Sequence, residues 1–348
     1  MTILLTGAAG FIGYHVAQAL LLRGENVVGV DNLNPYYDVR LKQARLQNLL
    51  GRPGFSFTQT DLTSREDMAA LAAAHPDITS IIHLAAQAGV RFSMKDPYSY
   101  VASNVLGHLA VLELARHLNR LDHLVYASSS SVYGACDTLP FTETDRVDTP
   151  LSLYAATKRA DELMSYSYGH LYGLPQTGLR FFTVYGPWGR PDMAYYSFAQ
   201  AIATGQPITV YDGGTVRRDF TYIDDIVTGV IATLEHPPTA PAAGAPPVRL
   251  LNIGNNQSEP ISTVIELLEA GIGRRAEITY APRPAADVAD TCASVDAIHA
   301  LTGFAPTTPL SVGIPRFVSW FMDWHAVTDR HTPEQDAPRY HTANVTAR

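Results

Sequence analysis

Thr2-Ile3-Leu4-Leu5-Thr6-Gly7-Ala8-Ala9-Gly10-Phe11-Ile12-Gly13 opens the chain just after Met1 and runs on into Tyr14-His15-Val16-Ala17-Gln18-Ala19-Leu20-Leu21-Leu22. An apolar strand signal, a turn with glycine at every third place and a further apolar stretch read as strand, tight turn and helix. In that setting glycine lets the backbone approach a pyrophosphate, and the helix N-terminus behind it favours the negative charge. The spacing is G-x-x-G-x-x-G, which alone would also describe an ordinary tight turn. What gives it weight is the next strand signal, at residues 27–31, which ends in Asp31. A carboxylate there accepts from ribose hydroxyls and repels a 2′-phosphate, so the expected cofactor is NAD rather than NADP.

Short apolar runs recur at 81–85, 123–127 and 176–182, with helical stretches between them. Strands alternating with helices imply right-handed crossovers, and continuous apolar runs fit strands buried on both faces. The expected fold class is α/β, a Rossmann-type doubly wound parallel sheet with a smaller C-terminal substrate-binding domain. After Pro187 the rhythm changes to proline, glycine and short mixed elements. The expected division is therefore 1–187 for the dinucleotide-binding domain and 188–325 for the substrate-binding domain, with some segments returning to the sheet. Residues 237–247 read as a surface loop, 261–270 and 309–324 as helices, and 326–348 as a mobile polar tail.

The bulk numbers exclude several classes. The chain has 348 residues, 46% hydrophobic and 17% charged, which is ordinary globular composition. A net charge of −8 speaks against a broad basic face for nucleic acid. Cys136 and Cys292 are too few for a disulfide framework and suit a reducing cytoplasm. Met1 leads straight into a strand signal, so no leader peptide is expected, and no apolar run reaches membrane-spanning length. The 12 histidines are scattered, without the spacing of a metal site.

Tyr154-Ala155-Ala156-Thr157-Lys158 places a phenol and an ammonium four residues apart on an expected helix, facing the same way. A free tyrosine titrates near ~10, so acting as a base near neutrality takes roughly 3 units, or about 4 kcal/mol. One cation ~6 Å away at an effective dielectric of ~20 supplies about 2.8 kcal/mol. Lysine alone is marginal, whereas lysine with an oxidised nicotinamide suffices. Without context such a pair is more often an exposed helix face. Ser128-Ser129-Ser130-Ser131-Val132-Tyr133-Gly134 follows the 123–127 strand, at the end where open α/β sheets bind ligands. Turn and capping chemistry is expected to occupy one or two of the four serines.

With these residues in place, the sequence resembles the extended short-chain dehydrogenase/reductase family of nucleotide-sugar enzymes over roughly residues 2–324. The marks are Thr6–Gly13, Asp61-Leu62, His83-Leu84-Ala85-Ala86-Gln87, the serine run, Tyr154 with Lys158, and Arg218-Asp219-Phe220. Within the family it looks most similar to UDP-glucuronate 4-epimerases. That closer match lies in Ala85-Ala86-Gln87-Ala88-Gly89-Val90-Arg91, in the stretch from Phe182 to Met193 (FTVYGPWGRPDM) and in the stretch from Arg217 to Asp225 (RRDFTYIDD).

The resemblance implies roles. Gly7, Gly10 and Gly13 would hold the pyrophosphate, Asp31 and Asn32 the ribose, and Asp61 and Leu62 the adenine. Phe11, Ile12, Leu84, Ala85, Ala86 and Gln87 would line the same cofactor groove. Lys158 would bind the nicotinamide ribose, Tyr154 would be the base, and Ser129 would bond the sugar 4-oxygen. Tyr211 would pack near uracil, with Arg218 and Arg283 at the diphosphate. This chain departs from the family in the last substrate loop. It reads Arg283-Pro284-Ala285-Ala286-Asp287 where a Gly-Asp pair commonly follows the proline. Family members commonly form homodimers through helices near 101–117 and 154–172.

Related enzymes share oxidation at C4 and then diverge. The 4,6-dehydratases carry acidic residues before V-Y-G, and UDP-glucuronate decarboxylases typically carry a Glu there. Here the positions are Ser129, Ser130 and Ser131, so elimination lacks its acid/base pair. Rotation of a 4-keto sugar and reduction on its other face remain. Arg91 and Arg190, with Ser130, Ser131 and Thr183, could hold a sugar carboxylate, the lesser alternative for either arginine being a structural ion pair. The expectation is an NAD-dependent UDP-glucuronate 4-epimerase, an isomerase acting on a UDP-sugar. The alternatives are a UDP-glucose or UDP-GlcNAc 4-epimerase, a UDP-glucuronate decarboxylase, a non-epimerising dehydrogenase and a catalytically silent NAD-binding regulator.

Overall fold

The computed structural model describes residues 1–240, 242 and 244–329. The chain opens with β1 (Thr2–Thr6), α1 (Phe11–Leu22), β2 (Asn26–Asp31), α2 (Val39–Gln47), β3 (Phe55–Gln59), α3 (Arg65–Ala74) and β4 (Ile78–His83). A short α4 (Pro97–Tyr100) leads through a π-helical stretch, Val101–Leu106, into α5 (Gly107–His117). Then come β5 (His123–Ser129), α6 (Leu153–Tyr172) and β6 (Gln176–Phe181). The remainder is β7 (Thr183–Tyr185), α7 (Ala194–Thr204), β8 (Ile208–Tyr211), β9 (Arg217–Tyr222), α8 (Ile223–Leu234), β10 (Val248–Ile253), β11 (Ser258–Pro260), α9 (Ile261–Ile272), β12 (Ile278–Ala281), α10 (Asp296–Thr302) and α11 (Leu310–Asp329).

Seven strands form one parallel sheet in the order β10-β6-β5-β4-β1-β2-β3. Leu4, Leu5, Ile81, Ile82, Leu124 and Val125 are fully buried in its central strands. Each such side chain contributes about 1.5–3 kcal/mol by leaving water. The chain order reverses between β1 and β4, which opens a crevice at their C-terminal ends, where ligands of such sheets sit. A three-stranded sheet (β11-β9-β7) and a two-stranded one (β12-β8) complete the strands, and residues of β7, β8 and β9 line the same crevice. From the later part of the chain, β10 joins the main sheet and α8 packs on α1.

Three details differ from the sequence reading. The strand expected at 81–85 is β4, Ile78–His83, which ends before Leu84. The edge strand β3, Phe-Ser-Phe-Thr-Gln, was not anticipated, because it is half-exposed and polar at alternate positions. The last helix runs four residues beyond the expected boundary at 325, to Asp329. The rest of the expected tail, 330–348, lies outside the described residues.

Candidate active site

Every residue assigned above to cofactor, substrate or catalysis lines one cavity of about 950 Å3 at the strand-order reversal. Its cofactor end is made of backbone. Gly7 has φ +73°, its amide donates to the Val30 carbonyl at 2.7 Å, and a Cβ there would lie 2.8 Å from the Ala85 nitrogen. A Cβ on Gly13 would come within 2.1 Å of the Gly7 carbonyl oxygen, so the turn closes only with glycine. Asp31 is buried at the end of β2 and accepts from the Ala9 and Leu33 amides at 3.1 and 2.8 Å. A carboxylate offers about four acceptor positions, so two remain for hydroxyl donors. Gln87 lines the same cavity. A glycine cradle and a carboxylate acceptor fit a dinucleotide.

The Tyr154–Lys158 pair rides on α6, whose N-cap Ser152 accepts from the Ala155 amide at 3.1 Å. Lys158 is buried, and its Nζ donates to the Ala127 carbonyl and to Asp161 Oδ2, both at 3.0 Å. Ser128 donates to Glu162 at 2.7 Å inside a buried Arg180–Glu162 pair, so this serine belongs to the scaffold. Ser129 accepts from the Ser131 amide at 3.2 Å, which leaves its own hydroxyl proton to donate.

The substrate end is built of ion pairs. Arg190 grips Asp192 through two bonds, of 3.0 and 2.6 Å, and Tyr36 donates to the same carboxylate at 3.1 Å. Burial works against the charged form of Asp192, but Arg190 and Tyr36 outweigh it and hold the carboxyl below its usual range. Arg91 donates to Asp287 at 2.7 Å and to the Tyr211 hydroxyl at 3.2 Å, and it lies over the Tyr211 ring. Arg283 pairs with Asp212 at 2.8 Å and also donates to the Asp287 carbonyl. Arg218 differs, since its bonds go to the carbonyls of Arg217, Val288 and Ala289. Burial lowers its pKa, as expected of a cation held by neutral acceptors.

Several residues of the site escaped the sequence reading. Asn104, in the π-helical stretch, accepts from the Gln87 amide and donates to the Gln87 carbonyl and to Thr157. Tyr100 donates to the carbonyls of Ala88 and Gly89 and meets the Tyr154 ring edge-on, with centroids 6.1 Å apart. Arg45 is fully buried and donates to the carbonyls of Ala9, Trp188 and Gly189, tying the glycine turn to the loop that carries Arg190. Asn104 had one available signal, a polar residue amid an apolar helical stretch. Arg45 had none, because the carbonyls it joins, Ala9, Trp188 and Gly189, lie 36 to 144 residues away, although the nearby Tyr37 hydroxyl also accepts from it. Among the described residues no group of three or more His, Cys, Asp or Glu is placed to hold a metal ion. Among them, too, no helix is long and apolar enough to cross a membrane.

The family model for the NAD dependent epimerase/dehydratase family matches residues 3–254. The chain belongs to that family. Among relatives, it is 46% identical over 336 residues to a probable UDP-glucuronate 4-epimerase of Rhizobium meliloti, covering 92% of this chain and 97% of the relative. UDP-glucuronate 4-epimerase 1 of Arabidopsis thaliana is 44% identical, covering 93% of this chain and 77% of the plant protein. Among solved structures, UDP-glucuronic acid 4-epimerase from Bacillus cereus, in complex with UDP-glucuronic acid and NAD, superposes with a TM-score of 0.85 at 34% identity. That match covers 93% of this epimerase-family chain and 100% of the other.

Proposed function

We propose that this protein is an NAD-dependent UDP-glucuronate 4-epimerase that interconverts UDP-glucuronate and UDP-galacturonate. The observation that carries the reading is one cavity holding Tyr154 and Lys158, the acid-free turn Ser129–Ser131, and Arg190 with Thr183. The carboxylates lining the cavity, Asp31, Asp61, Asp192 and Asp287, are all engaged by amides, hydroxyls or arginines. No unengaged acid is therefore left among the described lining residues for elimination. The sequence relatives and the structural neighbour named above support the same reading.

NAD, when bound, supplies a reversible oxidant for the C4 carbinol, so the sugar passes through a 4-keto form without net redox change. Gly7, Gly10 and Gly13 with Phe11 and Ile12 would hold its pyrophosphate, and Asp31 and Asn32 a ribose. Asp61 and Leu62, with the stretch from Leu84 to Gln87, would line the rest of its groove. Tyr154 takes the C4 hydroxyl proton, Lys158 favours the phenolate, and Ser129 donates to the same oxygen. Arg218 meets the diphosphate, with Arg283 beside it, and Tyr211 flanks the uracil. Arg91, Arg190, Ser130, Ser131 and Thr183 serve the uronate end.

A 4-keto uronate is a β-keto acid that loses CO2 most readily when the C5–carboxylate bond stands perpendicular to the ring carbonyl. Holding the carboxylate in another orientation protects the carbon. The Arg190–Asp192 pair favours one competing reading, a neutral UDP-hexose epimerase, because Asp192 already neutralises the arginine. The comparison that separates them is Arg190→Ala assayed on UDP-glucuronate and UDP-glucose. We expect uronate turnover to fall by about tenfold or more, the scale of a charge-assisted bond, and any UDP-glucose turnover to fall less. Equal losses would favour the neutral-sugar reading.

The same inference divides the chain at 187/188 into cofactor and substrate domains and places it in the cytoplasm, with Cys136 and Cys292 free thiols. It also makes the protein a homodimer. Val101, Leu106, Leu163, Tyr166 and Leu171 are exposed on the helices that would pair. Sedimentation velocity reads that state, and a monomer would contradict it.

A further inference from the structure

Behind the Tyr154–Lys158 pair lies a carboxylate that the proposed chemistry does not use. Asp161 is one turn along α6 from Lys158 and fully buried, and its Oδ2 accepts from Nζ at 3.0 Å. Its Oδ1 has no hydrogen-bond partner. A buried carboxylate with one oxygen unmet is costly. Merely anchoring the ammonium would not require it, since the Ala127 carbonyl already accepts from Nζ at 3.0 Å.

The neighbours do not cancel this charge. Glu162 on the same helix is taken up by Arg180 of β6 and by Arg159. His83 on β4 is pushed down to about 3 by burial and by the Lys158 charge. His108 on α5 is pushed well below its ordinary value by burial, with His83 and Lys158 adding to it. Both rings are therefore neutral near neutrality. Tyr126 on β5 is pushed upward by burial and stays neutral too. What remains is an ammonium and a carboxylate facing one another.

We propose that Asp161 is a positioning residue that sets how strongly Lys158 acts on Tyr154, by offsetting part of the ammonium's charge at the phenol. The proposal rests on Tyr154 being the base. A lone ammonium acts on the phenol as a full charge, whereas an ammonium backed by a carboxylate 3.0 Å away acts as a weaker dipole. Burial, partly countered by Lys158, raises the Asp161 carboxyl to about 6. As the pH falls through that value, Asp161 takes a proton from solvent and stops offsetting the lysine. The lysine then favours the phenolate most under the conditions that would reprotonate it.

The test uses the NAD-loaded protein without substrate. Tyr154 ionisation is followed as the ultraviolet difference between each protein and its Tyr154→Phe counterpart. In Asp161→Asn the transition should lie about one pH unit lower than in wild type, and the acidic limb of kcat/KM should move the same way. An unmoved midpoint in folded Asp161→Asn overturns the proposal, and if that variant does not fold, Asp161→Ser, which also removes the charge, must show the same downward shift or overturn it. If Tyr154→Phe removes no titrating signal, the assignment of the base falls and the proposal falls with it. An unmoved Tyr154 signal overturns the proposal alone.

Discussion

The two ends of the cavity are built by different physics. The cofactor end is a backbone surface, in which the Gly7–Gly13 turn closes on itself with contacts that no side chain could share. Asp31 is fixed there by two main-chain amides. The substrate end is a set of side-chain ion pairs, Arg91–Asp287, Arg190–Asp192 and Arg283–Asp212, joining parts of the chain up to 196 residues apart. A backbone cradle is finished when the chain folds. An ion-paired arginine must exchange or share its partner to meet an anionic ligand, so part of the attraction is spent on that exchange. The contrast predicts tight cofactor retention and exchangeable substrate.

The contrast can be broken at the seam between the ends, where the largest effect is expected. Tyr154→Phe keeps the ring and removes the ionisable hydroxyl, so turnover should fall by about 10² or more while NAD content survives. Activity within a few-fold of wild type would rule out Tyr154 as the base. Next comes the cradle itself. Denatured wild-type protein should release NAD rather than NADP, and Gly13→Ala should release almost none, since its Cβ would meet the Gly7 carbonyl. Full NAD content in Gly13→Ala would mean that the turn is not the binding surface.

Acid should sharpen the comparison with a smaller effect. Burial lowers His83 to about 3, and lowers His15 and His123 to about 4. All three belong to the main sheet or to α1 on its face. Their folded values lie below the ordinary value of 6.5. As the pH falls below 6.5 the unfolded chain therefore gains protons that the folded chain refuses, and stability is lost. Each histidine contributes up to about 1.4 kcal/mol per pH unit. Hydrogen exchange at pH 7 and pH 5 should show the main sheet losing protection before the β12-β8 region. Equal loss in both would contradict the expectation.

What could be read from the sequence follows the same division. The glycine turn, Asp31, the serine run and the Tyr154–Lys158 spacing are local patterns, and local patterns survive in one dimension. The arginines of the substrate end were legible as cations, but not as cations already paired. Asp287 lies 196 positions from Arg91, and Asp212 lies 71 from Arg283. Asp192, two residues from Arg190, was in plain view, yet nothing in the sequence says that both line one cavity. Asp161 stands at a helical spacing that usually marks a solvated ion pair, and only folding reveals that it is fully buried. Edge strand β3 was missed because its alternating polar residues lack the continuous apolar run of the buried strands.

The central claim is that a carboxylated UDP-sugar is inverted at C4 with its carbon skeleton intact. Purified protein should be incubated with UDP-glucuronate without added NAD, and the products separated and weighed by mass spectrometry. The account predicts a second UDP-hexuronate of unchanged mass, identified as UDP-galacturonate, and formation of UDP-glucuronate when the reaction starts from that product. A UDP-pentose lighter by CO2, or conversion confined to neutral UDP-hexoses, would contradict it.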